Sequence, residues 1–383
     1  MKFVWLILLV ILLVSAISIP ILYDEHIKSE TEDTFFFGVS FGGNATSQAK
    51  LLIDKVKGYT NFFIINSWDV VTDETVLNEI SQYAVDSGMY FMVFFDFISK
   101  YWYSWHQTWL DTAEERFGDK FLGVYLHDEP GGKQIDEGYW KGGNVTSQFF
   151  ENVSDYHETA EAFVADISSF NSTMDVKRRN MQMFTSDYAL YWFDYLAGYD
   201  TVFVELGWNN SRTQNIALCR GAANVQDKAW GAILTWTYNE SPYLENGAEL
   251  LQDMITAYCA GAKYVIVFDY PYDQAFGILE NEHFVAMETF WNMTRSPQNK
   301  SLESVAAKVS FVLPKDYGWG MRRPDDKIWF PEWGPDERSP LIWSNMNKLI
   351  DKYGLQLDII YDDARFGFEK KYSEIYYWDS QIA

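Results

Sequence analysis

Short runs rich in aromatic and β-branched residues alternate with longer segments of helical period between residues 34 and 293. The predicted strands are 35–40, 61–66, 90–95, 121–127, 180–184, 201–206, 230–237 and 264–268. The predicted helices are 48–57, 74–87, 107–117, 149–170, 188–197, 213–227, 247–260 and 283–293. Because strands that alternate with helices pair in parallel, this pattern predicts an α/β fold with one closed (β/α)8 TIM barrel at 34–300.

Local signals at the segment ends support the helices. Thr46-Ser47 and Thr72-Asp73 precede two of them as capping residues, and several helices end beside a glycine. An open doubly wound sheet is the alternative architecture, but it would carry a glycine-rich phosphate-binding turn after its first strand. The segment Gly42-Gly43-Asn44 lacks the GxGxxG spacing of that turn. The sequence therefore favours the barrel.

Residues 301–383 depart from the barrel pattern and predict a small C-terminal α/β accessory unit. Strands are expected at 307–313, 357–361 and 374–378, and a helix at 341–353. The segment 314–340 between them has no regular period and is rich in Trp, Pro and charge. Its tryptophans, Trp319, Trp329 and Trp333, are expected either to reach over the barrel mouth or to anchor the unit by packing.

The amino-terminal segment predicts a location outside the cytoplasm. Residues 3–23 carry no charge, a length that suits a transmembrane helix, with Lys2 before them and an acidic stretch after them. We therefore expect a retained signal-anchor at 1–23 and an acidic stalk at 24–33, with the rest of the chain extracytoplasmic. A signal peptide cleaved near residues 14–16, which would give a secreted protein, is the alternative.

Composition supports export and narrows the partners. Eight Asn-x-Ser/Thr acceptors, more than chance would give, suggest a glycosylated surface: Asn44, Asn144, Asn152, Asn171, Asn209, Asn239, Asn292 and Asn299. A net charge of −24 argues against binding to nucleic acid. Cys219 and Cys259 are expected either as a disulfide or as two buried thiols. The scattered histidines predict no metal site, and no cofactor is expected.

The end of the fourth predicted strand carries the most informative chemistry. With a strand period of two, Tyr125, His127 and Glu129 face away from the apolar stripe, and the strand stops at Pro130. The carboxyl ends of barrel strands are where catalytic residues are placed. Glu129 is therefore the first candidate for catalysis, although Asp128-Glu129 as an ordinary polar strand end is the alternative.

Other acids and aromatics occupy equivalent positions. Glu205 alternates inward on the sixth strand, and is expected either as a second catalytic carboxyl or as a buried structural acid. Asp96, Asp269 and Glu240 follow other strands and are candidates for binding sugar hydroxyls, with a structural role the alternative. Trp68, Trp208 and Trp236, at or beyond strand ends, are candidates for stacking on sugar faces, with His127 and Tyr125 as further contacts.

Asp128-Glu129-Pro130 resembles the Asn-Glu-Pro of the large clan of retaining barrel glycosidases, and the inward alternation into Glu129 resembles the chitinase-like family. The resemblance implies a general acid/base role for Glu129. This chain departs from the clan in Asp128, and it lacks acids at Tyr125 and His127, where the chitinase-like pattern has them. A strand 7 nucleophile has no clear match, since Glu240 lies past the expected strand end.

The leading hypothesis is thus a membrane-anchored glycoside hydrolase acting on surface glycans or polysaccharide. Glu129 would be the acid/base, Glu205 the nucleophile or base, and Asp128 a third catalytic carboxyl. A non-catalytic carbohydrate-binding or cell-surface structural protein on the same barrel is the alternative. A metal-dependent hydrolase is a third possibility, which the lack of clustered His disfavours.

Overall fold

The computed structural model describes residues 34–95, 104–137, 153–272, 274–296, 302–329 and 333–382. Phe37–Ala383 is one compact unit. It holds the C-terminal strands and the barrel strands, apart from Phe36 at the start of the first strand. The expected anchor at 1–23 and stalk at 24–33 lie outside the described residues. Within the described ranges, no helix combines the length and apolar character needed to cross a membrane.

Eight parallel strands close into a barrel in sequential order, which confirms the predicted (β/α)8 fold. They are β1 (Phe36–Phe41), β2 (Phe62–Ile65), β3 (Tyr90–Phe94), β4 (Phe121–Asp128), β5 (Met183–Asp187), β6 (Thr201–Leu206), β7 (Ala229–Leu234) and β8 (Tyr264–Val267). Seven of the predicted strands start within one residue of these. The fifth, predicted at 180–184, starts three residues too early, because the apolar pair Met183-Phe184 can either end or begin a strand.

Helices follow the strands around the outside. In the barrel part of the described chain they are α1 (Thr46–Val56), α2 (Trp68–Val71), α3 (Glu74–Asp86), α4 (Ser104–Phe117), α5 (Pro130–Glu137), α6 (Tyr156–Ser169), α7 (Asn171–Arg178), α8 (Tyr191–Ala197), α9 (Arg212–Val225), α10 (Gly247–Cys259) and α11 (Asn281–Arg295). The sequence pattern does not predict α2, α5 or α7 as separate helices, because such short elements show too little of the helical period. Asp73 caps α3 as expected, whereas the predicted Thr46-Ser47 cap is wrong, since both residues lie inside α1.

Aromatic side chains fill the interior of the barrel. Phe203 of β6 stacks on Phe184 of β5 at 5.8 Å between ring centroids, and Tyr264 of β8 meets both rings edge-on at 5.6 Å. The ring of Tyr125 meets Phe203 at 6.0 Å. This layer closes the barrel beneath the carboxyl ends of the strands, so a ligand reaches those ends from the mouth.

The C-terminal part forms a three-stranded parallel sheet with β9 (Val309–Leu313) between β10 (Leu357–Tyr361) and β11 (Glu374–Tyr377). Helix α12 (Ser339–Tyr353) connects β9 to β10. The buried guanidinium of Arg220 in α9 pairs with the buried carboxyl of Asp358 in β10 at 2.7 Å. The same guanidinium donates to the main-chain oxygens of Leu355 and Leu357, so one barrel side chain organises the edge of the sheet.

The two best-buried tryptophans of the irregular segment are packing anchors and do not cover the barrel mouth. Trp329 is fully buried and lies against Phe193 of α8 and Phe163 of α6, and Trp319 is also buried. Trp333 is half-buried beside Tyr156. Of the two alternatives for this segment, the structure supports packing against the barrel helices. Cys219 and Cys259 are buried free thiols, so the disulfide alternative is wrong.

Candidate active site

A cavity of about 420 Å³ opens at the carboxyl ends of the barrel strands. All eight strands or the loops that follow them contribute to its wall. The lining residues are Gly42, Asn66, Ser67, Trp68, Asp69, Val71, Phe94, Tyr125, Asp128, Glu129, Ser186, Glu205, Ile233, Thr235, Trp236, Phe268, Asp269, Tyr270 and Pro271. The structure therefore brings seven of the predicted site residues to one cavity: Tyr125, Asp128, Glu129, Glu205, Asp269, Trp68 and Trp236.

The end of β4 does not follow the simple alternation expected from the sequence. His127 and Glu129 both have positive φ, of 59° and 56°, and the pairing with β5 shifts between Tyr125 and Asp128. Positive φ is uncommon outside glycine and here re-aims the side chains. As a result Asp128 and Glu129 both line the cavity. Backbone strain of this kind is concentrated at functional sites, which draws attention to this turn.

The predicted inward orientation of His127 is wrong. Its ring is fully buried, with Nδ1 2.5 Å from the hydroxyl of Tyr199 and the ring of Phe170 at 5.2 Å. Burial lowers the pKa of His127 to about 3, so this imidazole is neutral at physiological pH. His127 thus supports the outer face of β4 and does not line the cavity.

Glu205 is buried at the inner end of the cavity. Ser186 Oγ donates to Glu205 Oε1 at 2.6 Å, and the Tyr125 hydroxyl donates to Ser186 Oγ at 2.6 Å. Burial raises the pKa of Glu205 well above its usual value, and the negative charges of Glu129 and Asp128 raise it further, while the bond from Ser186 opposes them. Burial and the neighbouring carboxyls therefore favour the protonated form of Glu205.

Glu129 lies in a different environment on the same cavity. Its side chain is about one-fifth exposed, and its Oε2 lies 3.5 Å from the ammonium of Lys133 one turn along α5. The cavity thus holds two glutamates in unlike surroundings, one buried beside a hydroxyl and one partly exposed beside a cation.

Asp187, at the end of β5, fixes the backbone that follows Glu129. Its carboxyl accepts from the amides of Gly131 at 2.5 Å and Gly132 at 2.8 Å, in the first turn of α5. It also accepts hydrogen bonds from the backbone amides of Tyr188 and Ala189, which follow it in the same loop. Burial raises the pKa of Asp187 to about 7 in spite of these four amide donors. The sequence pattern does not single out Asp187, because the predicted fifth strand ends at residue 184.

Asp269 follows β8 on the opposite wall. Its Oδ1 accepts from the amide of Ile278 at 3.1 Å, and burial raises its pKa to about 7. Trp236 lies close to it on the chain that follows β7, with its ring 5.1 Å from that of Tyr270. Trp68, at the start of α2, is more than half exposed at the rim. Carboxyl and aromatic groups therefore face each other across the opening.

Besides His127, two predicted site residues, Trp208 and Glu240, are not brought to this cavity. Trp208 and Glu240 are exposed and do not line it, because both lie past the strand ends in the loops. Asp96 lies outside the described residues. Asn66, Asp69 and Thr235 line the cavity without having been predicted. Asp69 lies three residues past the predicted strand 61–66, and Asn66 and Thr235 are neutral, so the pattern of acids and aromatic rings at strand ends does not single them out.

Among the described residues, no group of three or more His, Cys, Asp or Glu side chains is arranged to hold a metal ion. No protein-family model matches the chain, and no curated protein matches it.

Several solved structures are similar to this chain at low sequence identity. The α-L-fucosidase isoenzyme 2 from Paenibacillus thiaminolyticus is similar with a TM-score of 0.53 and 11% identity, covering 89% of this chain and 60% of that chain. The endo-β-1,4-mannanase from Thermotoga petrophila is similar with a TM-score of 0.45 and 8% identity, covering 73% of this chain and 82% of that chain. The endo-1,4-β-mannanase from Rhizomucor miehei is similar with a TM-score of 0.44 and 12% identity, covering 68% of this chain and 94% of that chain. At such identity the likeness to the fucosidase shows a common fold alone.

Proposed function

We propose that this protein is a glycoside hydrolase whose paired carboxyls are Glu205 and Glu129. The observation that carries the proposal is their unequal environment at one cavity. Glu205 is buried and its pKa is raised, whereas Glu129 is partly exposed beside Lys133. Two titratable groups driven to opposite protonation states are what acid and base roles require.

This environment favours an assignment opposite to the one the resemblance implies. Glu205 is the general acid, because it is the protonated group. Its Oε1 accepts from Ser186, so the acidic proton is carried by Oε2 and passes to the glycosidic oxygen as the C–O bond breaks. Glu129 is the ionised partner, which attacks the anomeric carbon or takes a proton from water.

The position of the two strands is consistent with this chemistry. β5 lies between β4 and β6, so the backbones of Asp128-Glu129 and Glu205 are separated by two strand spacings, about 10 Å. Side chains directed inward across the opening reduce this separation. Glycosidase carboxyls lie about 5–9.5 Å apart, with the shorter end retaining and the longer end inverting.

Asp128 has a supporting role in the proposed mechanism. Its carboxyl lines the cavity, and its charge contributes to the raised pKa of Glu205. It therefore helps to keep the acid protonated between turnovers. Asp269, Trp236 and Trp68 are placed to bind sugar hydroxyls and ring faces.

The decisive experiment compares wild type with Glu205→Gln and Glu129→Gln on a glycan library. Each variant is expected to lose about 10²–10⁴-fold in turnover at an unchanged melting temperature, since Gln keeps the volume but neither donates nor accepts the reacting proton. Glu240→Gln, an exposed glutamate away from the cavity, is the matched control and should retain activity. An active, stable Glu205→Gln enzyme would end the proposed mechanism. A wild type that binds glycans without hydrolysing them would favour the carbohydrate-binding alternative.

We further propose that the domain is extracytoplasmic, anchored to the membrane through residues 1–23, and glycosylated. The five acceptor asparagines within the described ranges are all exposed: Asn44, Asn171, Asn209, Asn239 and Asn292. Protease treatment of intact cells is expected to release the domain, and mass spectrometry to find glycans on several acceptors. A domain spared by protease would overturn the topology, and unmodified peptides throughout would overturn the glycosylation.

A further inference from the structure

Exposed aromatic rings are concentrated around the mouth of the barrel. Ten large apolar side chains are exposed in the described part of the chain. Five of them follow the carboxyl ends of strands: Trp68 after β2, Trp208 after β6, Tyr238 after β7, and Tyr270 and Tyr272 after β8. A folded chain gains nothing in stability from leaving such rings in water, so their grouping at one rim indicates ligand contact.

Two of these exposed rings, Tyr270 and Tyr272, belong to a continuous row of four aromatic rings that leads away from the cavity. The row starts at Tyr270 in the cavity wall, which lies 5.1 Å from Trp236. Trp236 meets Tyr243 at 5.2 Å, and Tyr243 meets Tyr272 at 5.6 Å. Tyr270 and Tyr272 are each about half exposed. The row therefore offers ring faces at successive positions outward from Glu129 and Glu205.

The row ends at a second cavity of about 520 Å³ beside the first. Tyr272 lines this second cavity with Phe41, Phe276 and the amide of Gln48, and Asp269 and Pro271 belong to the walls of both. Gly42, which lines the first cavity, lies so close to Pro271 that an added Cβ would be 3.0 Å from the Pro271 ring. The two cavities are thus neighbours along one surface.

The charge of this surface selects against acidic ligands. Neither cavity has a Lys or Arg among its lining residues in the described part of the chain. Asp69, Asp128, Glu129, Glu205 and Asp269 line the first cavity. An anionic sugar would bring its charge against these carboxyls, and the ammonium beside them, that of Lys133, is already paired with Glu129. Uncharged sugars, with apolar ring faces and many hydroxyls, match both the rings and the acids.

We propose that the substrate is an uncharged polysaccharide that crosses the mouth as an extended chain. Trp68 on one rim and the row Tyr270–Trp236–Tyr243–Tyr272 on the other bind units on both sides of the Glu129–Glu205 pair. Cleavage is then internal to the chain and does not need a terminal sugar. This inference rests on the proposed function for its catalytic step, but the binding row stands apart from it.

The test uses the full chain carrying Glu129→Gln, so that binding is measured without turnover. Its retention in affinity gels is compared for soluble mannan, xylan and mixed-linkage β-glucan, and for the polyanions polygalacturonate and alginate. At least one neutral polymer is expected to bind, and neither polyanion. Tyr272→Ala and Tyr270→Ala should each weaken that binding about tenfold, which corresponds to about 1.4 kcal/mol. Tyr377→Ala, an exposed tyrosine of β11, is the matched control and should bind as the parent does.

The outcomes separate this inference from the proposed function. If binding depends on the rings but wild type hydrolyses none of the polymers, the proposed binding row is supported and the proposed hydrolase activity is contradicted. If wild type hydrolyses a polymer but Tyr270→Ala and Tyr272→Ala leave binding unchanged, the proposed binding row is contradicted and the proposed hydrolase activity is supported. Preference for a polyanion, equal affinity for a monosaccharide and a polymer, or failure to bind any of the polymers would overturn the inference.

Discussion

The hydroxyl of Ser186 donates a 2.6 Å hydrogen bond to Oε1 of Glu205, the one buried glutamate whose carboxyl reaches the cavity in the described part of the chain. Ser186 is itself held by Tyr125, whose hydroxyl donates to Ser186 Oγ. The bond stabilises the ionised form of Glu205, whereas burial and the neighbouring carboxylates destabilise it. Ser186 therefore limits how far the pKa of Glu205 rises.

Ser186→Ala is expected to raise the pKa of Glu205 further. If Glu205 is the acid, activity is lost as pH rises through its pKa, so the alkaline limb of kcat/KM should move upward. A hydrogen bond to a charged group contributes about 1.5–3 kcal/mol, which predicts a shift of about one pH unit or more. The measurement is the pH profile of kcat/KM on a substrate identified from the glycan library.

Ser81→Ala is the matched control for that change. Its hydroxyl is also buried, but it lies in α3 and has no hydrogen-bond partner in the described part of the chain. We expect an unchanged pH profile and little change in stability. An alkaline limb that stays in place in a stable Ser186→Ala enzyme would show that Glu205 does not act as the acid.

The barrel could be predicted from sequence because its strands share one pattern, a short run rich in aromatic and β-branched residues followed by a helical segment. The sequence predicts the observed bounds of β6, since its valines alternate with Thr201, Phe203 and Glu205 across the full length. The same alternation predicts that Tyr125 and Glu205 face inward, and both line the cavity. Repetition of one strand–helix unit made the closed topology the simplest solution.

The details of the site needed the three-dimensional structure. No residue type marks the positive φ of His127 and Glu129, so the alternation could not show that Asp128 enters the cavity and His127 leaves it. Asp187 was missed because the apolar pair Met183-Phe184 fits two registers of β5. The protonation of Glu205 depends on burial and on charges from β4, which are distant in sequence.

Arg322 of the irregular C-terminal segment holds the helix that follows Glu129. Its guanidinium donates to both oxygens of Asp136 in α5, at 2.9 and 2.8 Å, and to both oxygens of the fully buried Asp326, at 2.8 Å. Arg322→Gln leaves the carboxyl of Asp326 without its cation in a buried site. We therefore expect a loss of about 3 kcal/mol in the free energy of unfolding, measured by urea denaturation.

The neighbouring Arg323→Gln provides the control, because Arg323 and its partner Asp325 are both exposed. A surface pair contributes about 0–1 kcal/mol, so the unfolding midpoint should barely move. Equal midpoints for the two variants would show that the Arg322 cluster does not stabilise the fold.

Residues 302–382 expressed alone are not expected to fold. Trp329 would lose Phe163 and Phe193, and the buried carboxyl of Asp358 would lose Arg220. A segment of this size with one three-stranded sheet has little core to compensate for these losses. Circular dichroism during heating should show no cooperative transition. A sharp independent transition would identify the segment as an autonomous domain.

Asp166 in α6 predicts a pH dependence of stability that is independent of catalysis. The residue is buried, its Oδ2 has no hydrogen-bond partner within the described ranges, and burial raises its pKa to about 7 from 3.8. A carboxyl with a raised pKa in the folded state stabilises the fold below its unfolded pKa, near pH 4. That contribution is lost as pH rises through about 7. At pH 8 the folded protein therefore holds an ionised group in a poor environment.

Asp166→Asn removes this charge and keeps the shape of the side chain. We expect the variant to gain on the order of 1 kcal/mol in unfolding free energy at pH 8 relative to wild type, with a smaller difference at pH 5. Paired urea titrations at the two pH values measure it. Asp351→Asn, at an exposed position of α12, is the control. It should change the unfolding free energy only slightly, and by the same amount at pH 5 and pH 8. If the Asp166→Asn difference failed to grow between pH 5 and pH 8, Asp166 would have to be solvated and ionised in the folded protein at both pH values.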